Sequence, residues 1–237
     1  MYRLILLIGL AATSCAPAYI SNTRNTPMFE KRNELAAAAS VGSSGVDGQV
    51  AYSVSNHIAV MANGNVYSRQ LTIDDTPFMR RHRFGEAGLG YFVNAKRFQF
   101  ELFGGYGVAK LKSYRTYLLS DEWDLVNGAY NRWFIQPSVR LSNGRIKLIF
   151  TSRVSLVHFK TYMAEEVSTG EITYETFPGV QAYFEPAITG RFRVMKNFFG
   201  YCQLGVNGPI HGPHRYNHNA AQMAVGIQYR PDFKHDN

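Results

Sequence analysis

The sequence predicts an all-β fold, a membrane-spanning antiparallel up-and-down β-barrel of about ten strands with short periplasmic turns and long external loops. Three observations carry this expectation. From Glu34 onward, apolar and polar residues alternate with a period of two, and the apolar parity is almost free of Lys, Arg, Asp and Glu, which a water-facing surface would not be. The connections alternate between short and long, as in barrels with tight periplasmic turns and larger outer loops. Charged residues make up only 18% of the 237 residues and aromatic residues 14%, against about 25% charged in an average soluble domain.

The elements follow in order. Arg3 and the apolar run Leu4 to Leu10 lead through small residues to Cys15, the pattern of a bacterial lipoprotein signal over residues 1–14 with a covalent lipid on Cys15. Ala16-Pro17-Ala18 also fits ordinary cleavage before Tyr19, and either route exports the chain. Residues 15–33 carry prolines, Asn and Thr without periodicity and read as a lipidated tether. The barrel is expected over 34–230 and a tail over 231–237. No apolar run after the signal reaches the 18 residues of a membrane helix.

The apolar parity marks each strand. It runs through Leu35 to Val41, Val50 to Val54, Ile58 to Val66, Ala87 to Val93, Phe98 to Tyr106, Trp133 to Leu141, Ile146 to Leu156, Phe184 to Val194, Phe198 to Val206 and Ala221 to Tyr229. Tight turns are expected at 55–57, 94–96, 142–144 and 195–197, and long loops at 69–80, 114–129, 160–179 and 209–218, with only 43–46 short on the long side. Both termini then fall in the periplasm. Pro137 and Pro186 interrupt two strands and predict bulges or shifted strand ends, because each lacks a ladder N–H. Gly88 and Gly90 are read as relieving crowding inside a narrow barrel.

Cys15-Ala-Pro-Ala-Tyr19, Asn25-Thr-Pro-Met-Phe29, Gln49-Val-Ala-Tyr52 with Asn56-His-Ile-Ala-Val-Met61, Phe103-Gly-Gly-Tyr-Gly107 and Phe134-Ile-Gln-Pro137 resemble an uncharacterised family of Bacteroidota outer-membrane β-barrel lipoproteins. The resemblance extends over nearly the whole chain and implies no established activity. It also implies a periplasm-facing anchor, because Ala16-Pro17-Ala18-Tyr19 stands where surface-exported lipoproteins carry acidic residues.

Candidate functional residues lie mainly on the polar parity, where Arg97, Arg132, Arg140, Lys147, Arg153, Arg191 and Arg193 face Glu86, Glu101 and Glu185. In a narrow lumen these predict an ion-pair and hydrogen-bond network, and the excess of cations leaves a small anion-selective pore or an anionic-ligand pocket as the alternative. His211, His214 and His218 are weak candidates for a metal site, and Pro213 between them excludes a helical arrangement. Loop acids Asp74, Asp75, Asp121, Glu122, Asp124, Glu165, Glu166 and Glu171 include candidates for the water-activating carboxylate pair of a hydrolase or acyltransferase, although clustered loop acids are usually solvated. Met79-Arg80-Arg81-His82-Arg83 forms a basic knot that reads first as a solvated charged loop end, with lipopolysaccharide phosphates at the outer rim as the functional alternative. The formal charge of +8 is spread over strand positions and turns, which argues against nucleic acid. The expectation is a non-enzymatic lipoprotein of the cell outer membrane without a cofactor beyond its lipid. Its partners would be outer-membrane lipids and an envelope protein complex in which it is a structural or accessory subunit.

Overall fold

A computed structural model describes residues 18–231 apart from 74–75, 96–97, 117–122, 143, 167–171, 175–178 and 212–217. Its strands are β1 (Leu35–Gly42), β2 (Gly45–Ser53), β3 (Ile58–Ile73), β4 (Thr76–Ala95), β5 (Phe98–Thr116), β6 (Trp123–Arg140), β7 (Ile146–Glu166), β8 (Ile172–Tyr174), β9 (Gln181–Met195), β10 (Phe198–Val206), β11 (Gly208–His211) and β12 (Ala221–Tyr229). Ten of them close a ring of antiparallel neighbours: β1 to β7 in order, then β9, β10 and β12, with β12 pairing back onto β1. The short strands β8 and β11 extend the ladders of β7 and β9. Closure removes every free sheet edge along the ring, as a lipid-embedded sheet requires.

The parity read from the sequence divides the two faces. Leu89, Trp133, Met223 and Ile227 are about 60% exposed on the outside, whereas Glu101, Arg132, Arg153 and Glu185 are fully buried inside. Interior space is tight enough to demand glycine at some strand positions. A Cβ on Gly90 would lie 2.4 Å from the Phe103 ring, and one on Gly105 2.7 Å from that of Phe134.

Two of the expected long loops are largely strand. The β3–β4 ladder continues to Ile73↔Thr76 and the β5–β6 ladder to Thr116↔Trp123, while β7 runs on to Glu166. The sequence pattern does not stop there; it changes sign. Lys110 and Lys112 point outward and Ala109, Leu111 and Ser113 inward, the polarity of a sheet that has left lipid for water. β4, β5 and β7 have 20, 19 and 21 residues, against 8 or 9 in β1, β2, β10 and β12. The barrel therefore has a high wall, β3 to β7, and a low wall no taller than the 9 to 11 residues that cross a bilayer.

The prolines do not bulge the strands. The β6–β7 register passes from Ile135↔Val154 to Ser138↔Thr151 without a shift, and Pro186 pairs with Ser152 in an unbroken β7–β9 register. Both prolines flank β7 at Ser152, and the ladder omits bonds there while keeping its count. The register shifts lie elsewhere, at Ala129/Tyr130, Phe198/Phe199 and Pro209/His211.

The largest departure from expectation is the segment read as a tether. Residues 18–29 are all buried, and they run lengthwise through the lumen. They have no periodicity because they join no ladder, not because they are solvated.

Candidate functional site: the plugged lumen

The direction of the plug is fixed by its two ends. At the high-wall mouth, Tyr19 forms a parallel bridge with His218, the Asn219 N–H donates to the Tyr19 carbonyl at 3.1 Å, and the Tyr19 ring stacks on Tyr183 with centroids 4.3 Å apart. At the short-turn mouth, Arg230 donates to the carbonyls of Pro27 (3.1 Å) and Met28 (3.3 Å), and Asn94 donates to that of Glu30 at 3.4 Å. Ten residue steps separate Tyr19 from Phe29, a reach of at most about 36 Å, enough to cross a hydrocarbon layer of about 30 Å. The two ends of the described chain thus lie at opposite mouths, whereas the termini themselves, expected on one side, lie outside the described residues.

The lumen is layered around this segment. Apolar clusters close it at each end: Phe84, Leu111, Tyr130 and Phe159 surround Tyr19 above, and Met61, Phe92, Phe103 and Phe134 surround Phe29 below. Between them, the backbone of the plug is bonded by side chains standing in for a neighbouring strand. Gln203 accepts from the Arg24 N–H at 2.8 Å and donates to its carbonyl at 3.0 Å. Gln49, Gln136 and Gln99 donate to the carbonyls of Thr23, Asn25 and Phe29 at 2.8, 2.7 and 2.8 Å. Asp47 accepts from Thr23, and Glu101 accepts from the Phe29 N–H at 2.7 Å. Buried backbone groups are thereby satisfied without a ladder.

The charges are organised on Asn22 of the plug. Its carbonyl oxygen Oδ1 accepts from Arg132 (2.8 Å) and Arg153 (3.0 Å), and its amide donates to Glu86 at 2.9 Å. Arg132 also pairs with Glu86 and donates to the Tyr19 hydroxyl. That hydroxyl in turn donates to Glu185, which is held by Arg153 through Nε (2.7 Å) and Nη2 (2.6 Å) and approached by Arg24 at 3.6 Å. Every one of these ionised side chains is fully buried, a placement tolerable only when the charges are paired and hydrogen-bonded.

Of the residues singled out from sequence, Glu86, Arg132, Arg153 and Glu185 meet in this one network. Arg191 and Glu101 lie nearer Phe29, with Arg191 donating to the carbonyls of Thr26 and Pro27. Arg140 stands apart at the short-turn rim, 3.9 Å from Glu30, beside Lys147. Sequence reasoning missed Tyr19, Asn22 and Arg24, which bind the network together. The signal that points to them is the row of inward amides Gln49, Gln99, Gln136 and Gln203, whose double hydrogen-bonding capacity needs a partner in the lumen.

Cys15 lies outside the described residues, as do Arg97, His214, Asp74, Asp75, Asp121, Glu122 and Glu171. His211 is exposed and His218 packs on Tyr183; among the described residues no three His, Cys, Asp or Glu gather as metal ligands. The β6–β7 register sets Asp124 opposite Glu166.

No protein-family model matches the chain, and no curated protein matches it. Among solved structures it is similar to the translocator domain of the autotransporter NalP from Neisseria meningitidis, with 10% identity over 84% of this chain and 86% of that one and a TM-score of 0.46. It is also similar to CarO2 of Acinetobacter baumannii (8% identity, 84% and 99% covered, TM-score 0.29) and to OmpT, an outer membrane protein of Vibrio cholerae (8%, 84% and 96%, TM-score 0.21). At such TM-scores the fold rests on the chain's own strand pairings.

Proposed function

We propose that this chain is an outer-membrane β-barrel lipoprotein, lipidated at Cys15, that works without catalysis as a structural or interaction component of the envelope. The observation that carries the reading is the occupied lumen. With residues 18–29 buried and hydrogen-bonded by inward side chains from Tyr19 to Phe29, the interior reads as a polar core rather than a passage, which disfavours the anion-pore alternative. Of the cations that motivated it, Arg132, Arg153 and Arg191 are spent on Glu86, Glu185 and plug carbonyls.

The working surface is then the outside. β4 and β5 set Arg81 directly opposite Lys112 and Arg83 opposite Lys110, all four exposed. Like charges facing each other across a ladder destabilise it, so an anion held between them is favoured. The position, just above the apolar belt, suits the phosphates of lipopolysaccharide. The same high wall offers an edge for an envelope protein complex in which this barrel is an accessory subunit.

Two measurements test the reading. Purified protein in planar bilayers should give no single-channel conductance, and a steady anion-selective current would overturn the closed-lumen assignment. Mass spectrometry of gently solubilised outer membranes should find lipid A and at least one envelope protein with the barrel. A bare monomer would remove the interaction role.

A further inference from the structure

The plug runs the wrong way for a periplasmic anchor. Its first described residues, Ala18 and Tyr19, sit at the high-wall mouth, and the chain travels down the lumen to Glu30 before β1 begins at the opposite mouth. Only Ala16 and Pro17 separate Cys15 from Ala18. Three residue steps reach at most about 11 Å, whereas the far leaflet lies across about 30 Å of hydrocarbon. A lipid on Cys15 is therefore confined to the leaflet at the high-wall mouth.

Three further features suit that leaflet. His218 and Asn219, which hold the Tyr19 backbone, lead directly into β12, a strand of 9 residues next to β1 of 8. On that side the rim stands at bilayer height, while Ala18 itself packs with the high-wall side chains around Tyr19. The outward cations Arg81, Arg83, Lys110 and Lys112 are at this same end, where lipopolysaccharide phosphates mark the cell surface. The tight turns at 54–57 and 196–197 lie at the other, the periplasmic side of such barrels, while the β1–β2 turn at 43–44 is a tight connection on this side.

We propose that the chain is threaded outward through its own barrel, with the acyl chains of Cys15 in the outer leaflet and the modified N-terminus on the cell surface. This rests on the lipoprotein reading above. It reverses the side implied by the residues after Cys15, because the lumen rather than a sorting signal carries the N-terminus across. It also requires the strands to close around an already lipidated segment, since a lumen filled by a single extended chain does not admit an acylated cysteine afterwards.

The test uses cells grown with alkyne-palmitate and a seven-residue site for a specific protease inserted between Pro17 and Ala18. Protease added to intact cells should strip the label from the folded, heat-modifiable barrel band. The same site placed after Pro231 should be cut only once the outer membrane is permeabilised. If the insertion disturbs assembly, Pro17→Arg creates a trypsin site at the same place with one substitution. A labelled barrel whose label is lost only after permeabilisation overturns the outward threading. A barrel that never takes up label overturns the lipoprotein reading instead, and the two failures are read from different lanes of one gel.

Discussion

Glu185→Gln is the substitution that reports most directly on the plugged lumen. The carboxylate accepts from Tyr19 of the plug and twice from Arg153, with Arg24 at 3.6 Å. Around Asn22, three guanidinium groups (Arg24, Arg132, Arg153) face two carboxylates (Glu86, Glu185), a net charge of +1. The amide keeps the shape but leaves three cations with one anion, a net charge of +2 in a site closed to water by aromatic clusters at both ends. Removing one partner of a buried ion pair costs about 3–5 kcal/mol. Arg153→Met added to Glu185→Gln returns the network to two cations and one anion, again +1. The double variant should therefore be less destabilised than the sum of the singles by about 0.5–3 kcal/mol. Guanidinium unfolding in detergent micelles, followed by tryptophan fluorescence and by loss of the heat-modifiable band, measures all four corners of the cycle. Additivity of the two single effects would refute the coupling, and a wild-type-like Glu185→Gln would refute the burial of the network itself.

Other outcomes follow from the same geometry. Gly90→Val should lower the yield of folded barrel, by overpacking worth about 1–3 kcal/mol, because its Cβ strikes the Phe103 ring; Phe103→Ala in the same chain should restore yield, as scored by band shift. The peptide bond after Arg24 should resist trypsin in the folded barrel and be cut after boiling, with peptide mass spectrometry as the readout. Replacing Arg81, Arg83, Lys110 and Lys112 together by Thr should leave the heat-modifiable band intact while reducing co-purified lipid A severalfold by mass spectrometry.

The belt was legible in the sequence because lipid imposes one demand on every outward position. Leu89, Trp133 and Met223 can be assigned from alternation alone, and closure follows once no charge interrupts that parity. The upper strands were harder to read because the rule inverts where lipid ends. A search for apolar-out alternation stops at Val108, although Ala109 and Leu111 keep the period on the inner face. The charged half of the site was legible as a set, since Glu86, Arg132, Arg153 and Glu185 share a parity. The plug was not, because Thr23, Arg24 and Asn25 are bonded by side chains from several strands, and such partners leave no repeat in the sequence. The prolines were misjudged for a related reason: a strand can omit a hydrogen bond without losing register when its neighbour, here β7 at Ser152, carries both gaps.

The plug also ties together parts of the chain made at very different times. Arg24 is bonded to Gln222, and Arg230 to the carbonyls of Pro27 and Met28. The plug residues that precede β1 thus find their last partners only when the final strand arrives, so seam closure between β1 and β12 and completion of the interior are a single event. An unfinished barrel has neither its seam nor its core. A chain that ends before β12 therefore leaves an unpaired edge on β1 and a plug without its partners at the same time.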